Sequence, residues 1–317
     1  MIKIWTVLLL MFSIIFCDLS LKEGGGHNMD TEITYQSQVT DQFFPVIFSI
    51  GLDGVAILKV GTNRDNPLSS VGIFSVKLEE RKVSDLVKAL RSSDFRSIQN
   101  PPVFPEGGSV RLLRFREKGV GEIRKWVSDD EGPPSPVFLK VEKEVLTLVD
   151  LVRQHPLQTI SMKLTLLPNQ IERGKSIEVS ISLINPGSEI IQFPHPENWS
   201  KDAVQLQLIG LRSDISLEKL QEYHQKFEDL SKKHIVDIQP IKVKKPLINL
   251  SPTNQVIFKC RTPLDWPPGQ YDLQVSLITP LLDQKGKQQI RCELISKTIP
   301  LKIVGKSKPG DEPKDVE

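Results

Sequence analysis

Histidine and cysteine are scarce in this chain, with five of the first and three of the second. His27, His155, His195, His224 and His234 show no i, i+4 spacing and no C-x-x-C context, so no metal site is expected. An excess of either charge is also missing. The balance of 41 basic and 39 acidic residues leaves a net charge of +2, so no global field draws the chain to nucleic acid or to anionic lipid. Aromatic residues make up 6 %, little material for stacking on bases or sugars, and no nucleic-acid partner is expected. Catalytic signatures are absent too. No Gly-x-Ser-x-Gly elbow presents a nucleophile. Gly24-Gly25-Gly26 lacks the Lys-Ser of a phosphate loop. Asp129-Asp130-Glu131 lacks the spaced oxygen ligands of a calcium loop, so solvated charge is the expectation there. No catalytic residue and no cofactor is assigned, and a non-enzymatic chain is the expectation.

What the chain does have begins at its first residue. Lys3 precedes an apolar run from Ile4 to Phe16, which stops at Cys17 and Asp18. A short basic start, a hydrophobic stretch and then polar chain make an export signal over residues 1–17. At 1.5 Å per helical residue the run spans roughly 20 Å, short of the ~30 Å hydrocarbon core. The expectation is an exported protein, periplasmic or tethered to the cell envelope. Two readings of Cys17 stand. A lipidation site wants a small residue before the modified cysteine, and Phe16 is large; an ordinary signal cut between Cys17 and Ser20 is the other reading. Residues 18–41, opening with Asp18-Leu-Ser-Leu-Lys-Glu-Gly-Gly-Gly-His-Asn, read as a flexible leash suited to a tethered domain. A lipid on Cys17 would be the chain's one contact with a membrane, and it would leave Cys260 and Cys292 as a pair.

With 39 % hydrophobic and 25 % charged residues the remainder is an ordinary globular chain, long enough for two cores. Residues 42–158 predict an α+β domain, an antiparallel sheet with two helices. Phe44–Leu52 and Val55–Val60 flank Asp53-Gly54, a pair that accepts a type I′ hairpin turn. Val71–Leu78 extends the sheet. Lys82–Ile98 turns helical, with Val83, Leu86, Val87 and Leu90 at helical spacing and Ser84 or Ser92 available as a cap. Strands Val110–Arg116 and Val120–Val127 follow. A second helix, Phe138–Arg153, carries a broad stripe of Leu139, Val141, Val145, Leu148, Val149 and Val152.

Residues 159–305 change pattern. About seven short runs alternate with period two between Pro/Gly punctuation. Ile177, Val179, Ile181 and Leu183 share one face, as do Val204, Leu206 and Leu208. This predicts an all-β sandwich. One helix, 214–233, interrupts it with Leu217, Leu220, Phe227 and Leu230 in a stripe. Lys242-Val-Lys-Lys245 is basic but bounded by prolines, and reads as a solvated strand edge. The last residues, 306–317, have no apolar pattern and read as a disordered tail.

The run Trp266-Pro-Pro-Gly-Gln-Tyr-Asp-Leu-Gln-Val resembles the penultimate strand of immunoglobulin-like domains. The resemblance implies that Gly269 shapes a turn, that Tyr271 is a tyrosine corner and that Leu273 takes the place of the usual cysteine. With Arg173-Gly174-Lys175 and Ser182-Leu-Ile-Asn185, the second block resembles bacterial immunoglobulin-like envelope domains and, through Trp266 and Pro-Gly-x-Tyr, faintly the bacterial proteinase-inhibitor sandwich. The first block resembles small bacterial envelope domains that open with an Asp-Gly hairpin. These are folding motifs and carry no functional residue over. They imply an immunoglobulin-like fold; with the export signal and the scarcity of site chemistry, the leading expectation is an envelope interaction or scaffolding module with a protein partner. A secreted inhibitor or adhesin-like binder using Pro194–Trp199 is the second reading, and a hydrolase the third.

Cys260 shares a strand face with Val256 and Phe258, and Cys292 with Ile290 and Leu294, so both point inward. A disulfide between them and a pair of buried free thiols fit that pattern equally. Asn198-Trp-Ser200 and Asn249-Leu-Ser251 match the glycosylation triplet, relevant only in a eukaryotic secretory pathway.

Overall fold

The structure is a computed structural model that describes residues 31–39, 46–51, 53–101, 109–119, 121–128, 132–200, 203–210, 235–239, 246–264 and 266–305. The expected signal segment, the helix over 214–233, Lys242–Lys245 and the tail over 306–317 lie outside the described residues.

The first strands are β1 (Thr31–Val39), β2 (Val46–Ile50), β3 (Val55–Val60) and β4 (Val71–Lys77). Helices α1 (Glu80–Arg91) and α2 (Ser93–Ser97) precede β5 (Ser109–Glu117) and β6 (Gly121–Ser128), and α3 (Pro136–Arg153) closes this part. Eleven strands follow: β7 (Pro156–Leu166), β8 (Gln170–Glu172), β9 (Ser176–Ile184), β10 (Ile191–Pro194), β11 (Val204–Gly210), β12 (Ile235–Gln239), β13 (Leu247–Leu250), β14 (Gln255–Pro263), β15 (Gly269–Leu282), β16 (Gln288–Ile295) and β17 (Ile299–Val304). They form a ten-stranded sheet in the order β12-β14-β9-β7-β4-β3-β2-β1-β5-β6 and a seven-stranded sheet centred on β15.

Most of the expected elements are present, and three differ. Part of the expected leash is strand β1. Its Ile33 and Tyr35 are buried, and it pairs with β2 on one side and β5 on the other. The alternation Ile33, Tyr35 is a period-two signal next to a Gly-rich stretch, and pairing on both edges outweighs the polar residues between. The single helix expected over Lys82–Ile98 is two. Ser92 leaves the helical region, and its Oγ accepts from Phe95 N–H at 3.2 Å, capping α2. In α3 the buried stripe is Phe138, Val141, Val145, Leu148, Val149 and Val152, with Glu142 inside it. Leu139, expected inward, is 41 % exposed.

At the hairpin the expected type I′ turn is replaced by a looser loop. Gly54 takes the positive φ of 75°, while Asp53 does not. Gly51 N–H donates to Val55 O and Gly54 N–H to Gly51 O, both at 3.0 Å, and Asp53 Oδ1 accepts from Val55 N–H.

The expected boundary at residues 158/159 falls within β7. That strand pairs with β4, as in Val71↔Ile160, and with β9, as in Leu164↔Ile181. One sheet therefore runs from β6 to β12, and its two faces are used differently along its length. Ile33, Tyr35, Phe48, Leu58, Leu113 and Phe115 share the face carrying the helices. Past β4 the opposite face is the covered one. Ile160, Met162 and Leu164 of β7, Val179, Ile181 and Leu183 of β9, and Val256, Phe258 and Cys260 of β14 pack there against the seven-stranded sheet. This second region is the β-sandwich. Each buried side chain of leucine or isoleucine size contributes about 1.5–3 kcal/mol, and the alternating patterns place nearly all of them in one contiguous core.

Tyr271 behaves as the resemblance implies. It is 1 % exposed, its hydroxyl donates to Pro267 O at 2.8 Å, and Trp266 meets its ring edge-on at 5.4 Å. This is the tyrosine-corner geometry of immunoglobulin-like sandwiches.

Candidate functional site

Cys17, the lipidation candidate, lies outside the described residues. Cys260 and Cys292 are free and buried, so the bridge considered between them is not formed. The topology gives the reason. Cys292 lies on β16, which packs over β4 and β7, whereas Cys260 lies on β14, two strands from β7 in the facing sheet. Two strand spacings and the gap between sheets, each step roughly 5 and 10 Å, exceed the ~7 Å Cα separation a disulfide tolerates. Burial pushes the Cys260 thiol up to about 12 and raises Cys292 as well. Such thiols are poor nucleophiles.

Two polar clusters are buried. Glu142, 3 % exposed on α3, accepts from Tyr35 Oη at 2.9 Å and from an Arg111 guanidinium nitrogen at 2.7 Å. Burial, then the Glu142 charge and hydrogen bond, raise the Tyr35 phenol well above its ordinary value. This trio fastens α3 to β1 and β5. The second cluster joins the two sheets. Glu293 N–H donates to Gly61 O at 2.7 Å, while its carboxylate accepts from Thr62 and Arg64, each at 2.8 Å. Asn63, 3 % exposed, donates to the carbonyls of Ile295, Pro67 and Ser69 and accepts from Ile295 N–H at 2.7 Å. The Glu142, Glu293 and Asn63 side chains are hydrogen-bonded within the fold, which is the pattern of a structural clasp.

An open cleft of about 680 Å³ lies where β9, β13 and β14 meet. Ile184, Ile248, Leu250 and Val256 are among its walls, and Asn249, Asn254 and Gln255 among its exposed rim. Its described lining is apolar side chains with Asn, Gln and Thr, which suits apolar contact and amide hydrogen bonding. The loop expected to serve a binder, Pro194–Trp199, is folded inward. Trp199 is 5 % exposed, donates to Pro194 O at 2.9 Å and meets Phe258 edge-on. His195 is 4 % exposed, with Nδ1 accepting from Glu197 N–H. Asn198 is exposed and donates to Pro246 O, and Asn249 is exposed on β13. Among the described residues no three His, Cys, Asp or Glu side chains cluster as metal ligands, and no helix is long and apolar enough to cross a membrane.

Sequence reasoning did not anticipate one charged sheet face. On strands β3, β2, β1, β5 and β6, the face opposite the helices presents rows of cross-strand neighbours. One row holds Ile57, Ser49, Thr34, Arg114 and Arg124. The next toward the strand ends holds Glu32, Arg116 and Glu122. Arg116, Glu122 and Arg124 are exposed, and the inner members are half-buried. Glu122 accepts from Arg114 at 3.0 Å and from Arg116 at 3.2 Å. Burial, the largest single effect, pushes its carboxyl up, but the hydrogen bonds and charges of Arg116 and Arg114 together hold it below the ordinary value. The signal for this face was present in β5, where Val110, Leu112, Arg114 and Arg116 follow one another at period two. It reads as ambiguous without knowing that helices take the other side.

At the outer edge of that face, β6 is closed by a side chain. Asn100 Nδ2 donates to Arg124 O at 3.0 Å and its Oδ1 accepts from Trp126 N–H at 3.2 Å. The carboxamide stands where the next strand's peptide group would be, a protection that edge strands need.

No family model matches the chain, and no curated protein matches it. Among solved structures it is similar to the CARDB domain of a Pyrococcus furiosus protein in complex with di-metal ions, at 9 % identity over 47 % of this chain and 90 % of that one, with a TM-score of 0.22. It is similar to the ASH/PapD-like domain 7 of human CEP192 at 11 % identity, over 45 % of this chain and 87 % of that one, with a TM-score of 0.22. A third is AvmM, which catalyses macrocyclization in alchivemycin A biosynthesis, at 12 % identity over 48 % and 92 %, with a TM-score of 0.24. At these scores the likenesses assign no function. The immunoglobulin-like character of the second region rests on its own two packed sheets and its tyrosine corner.

Proposed function

We propose that this chain is an exported, non-enzymatic interaction or scaffolding module of the cell envelope, binding a protein partner. The observation that supports binding is the face of β3, β2, β1, β5 and β6 opposite the helices, which presents exposed Arg116, Glu122 and Arg124 among half-buried neighbours. A sheet buries one face against helices and commonly leaves the other to solvent. Here the same sheet has that second face covered by another sheet only a few strands away. A rigid platform bounded by a wall is a geometry suited to holding a partner. The Ile4–Phe16 run followed by a polar stretch supports export, and Cys17 is the residue that would carry a lipid anchor.

Cross-linking in intact envelopes followed by affinity recovery tests the binding reading. A reproducible partner protein is expected; recovery of none in replicate preparations refutes it. Fractionation of wild type against Cys17→Ser tests the tether. The wild type is expected with membranes and the variant in the soluble fraction. A wild type that is already soluble refutes the tether and leaves export standing.

A further inference from the structure

Strand β13 ends the seven-stranded sheet and, among the described residues, pairs with β10 alone. The direction of its hydrogen bonds follows from the register. His195 N–H donates to Pro246 O, one pair before the ladder Pro194↔Leu247, Phe193↔Ile248, Gln192↔Asn249 and Ile191↔Leu250. Antiparallel pairs alternate between bonded and non-bonded, so Ile248 and Leu250 direct their backbone groups to β10. Leu247 and Asn249 turn theirs away from it. Leu247 is half-buried and Asn249 is exposed. At β6 the corresponding edge groups meet the Asn100 carboxamide; no described group takes that place at β13. Such an edge is a template for another strand. It also borders the cleft of about 680 Å³, where the inward side chains Ile248 and Leu250 of one sheet approach Val256 of the other.

We propose that β13 accepts an extended, uncharged segment of a partner protein as an added strand, with every second side chain apolar and directed into the cleft. The proposal rests on the interaction reading above and assigns it a docking edge and the chemistry of its partner. Main-chain bonds to Leu247 and Asn249 set the register, and the alternate side chains supply specificity. The cleft's described lining carries no charge, and a charged side chain seated against it would lose hydration without gaining a counter-ion. A second copy of this chain is the less suitable occupant. Four residues of edge span about 13 Å, on a sheet roughly 10 Å thick. Two folded bodies meeting there fall far short of the roughly 800 Å² per partner that a stable pair buries. The inward side chains of a second β13 are already buried in their own core, so they would leave both clefts unfilled. A linear segment reaches the edge and the cleft together.

The test is selection of random displayed peptides on the immobilised full-length protein, followed by binding of a labelled winner. Enrichment of uncharged sequences that alternate apolar and polar residues is expected. The winner should slow amide exchange at Leu247 and Asn249 about tenfold or more, and leave Ile248 and Leu250, already bonded to β10, unchanged. Asn249→Pro removes the outward N–H and leaves the β10 ladder its bonds, so it should weaken binding about tenfold or more. Where that variant does not fold, peptides N-methylated on alternate amides replace it. Methylation of one set of positions should abolish binding and methylation of the other should spare it, because only every second amide meets the edge. Selection of charged or non-alternating peptides, no enrichment, protection elsewhere, or indifference to the methylated set overturns the proposal. So does self-association of the wild type in sedimentation that Asn249→Pro removes, the mark of a second copy as occupant. If the envelope cross-linking recovers a partner whose contact lies away from β13, the interaction reading stands and this surface assignment fails.

Discussion

Asn63 is the side chain on which the joint between the two sheets depends most directly, and Asn63→Ala tests that. The carboxamide donates to three backbone carbonyls, at 3.0 Å to Ile295, 3.2 Å to Pro67 and 3.4 Å to Ser69, and accepts from Ile295 N–H at 2.7 Å. Alanine removes all four contacts. The longest contributes little, but the Ile295 N–H and C=O are buried and are left without those partners. Each orphaned group costs about 1–3 kcal/mol, so the expected loss is about 2–5 kcal/mol and a fall in Tm on the order of 10 °C. Asn63→Asp is expected to be worse at neutral pH. It keeps an acceptor for Ile295 N–H but turns a charge toward three carbonyl oxygens. Urea titration of the three proteins gives the ranking, and amide exchange reports Ile295 N–H directly. A loss below about 1 kcal/mol for Asn63→Ala, or an aspartate variant as stable as wild type, refutes the assignment of this residue as the joint.

Four further outcomes are expected. Gly72→Ala should destabilise by about 2–4 kcal/mol, because φ there is +127° and a Cβ would lie 2.3 Å from Gln158 O; urea midpoints check it, and a wild-type midpoint contradicts it. Thr253→Asn should stabilise by up to about 1 kcal/mol, since Thr253 holds a φ of 62° that a β-branched residue resists. The Cys260 thiol is raised, so the fold holds its proton where the unfolded chain releases it. Its stability contribution is complete below the unfolded thiol value near 8.5 and is lost as pH rises from there toward about 12. Cys260→Val should therefore flatten the alkaline fall in urea midpoint, and an unchanged slope counts against the burial argument. Asn100→Ala uncovers the β6 edge and should raise self-association in sedimentation at high concentration, with little change in far-ultraviolet circular dichroism.

The sandwich strands were the most legible elements, because Ile177 to Leu183 and Tyr271 to Leu281 alternate without interruption and bury one face. Tyr271 was legible through the resemblance of Gly269-Gln-Tyr271 to an immunoglobulin-like strand, whose corner hydroxyl bonds a backbone carbonyl upstream. Strand β1 was not, because two apolar residues beside a Gly-rich run give a weak period. The cysteine pair was readable to the level of direction only. Inward orientation says nothing about lateral offset between sheets, which the strand order decides. Likewise the arginine face is invisible in β5 alone. Leu112 and Arg114 look contradictory on one face until the helices are known to cover the other.

Strand β7 has a mechanical consequence. It is bonded to β4 on one edge and to β9 on the other, so the first and second regions share a ladder instead of a linker. Tension applied between the chain ends would load those hydrogen bonds together, and neither region could yield by extending a flexible connection. The helix-bearing part of the sheet and the sandwich would then turn as one lever.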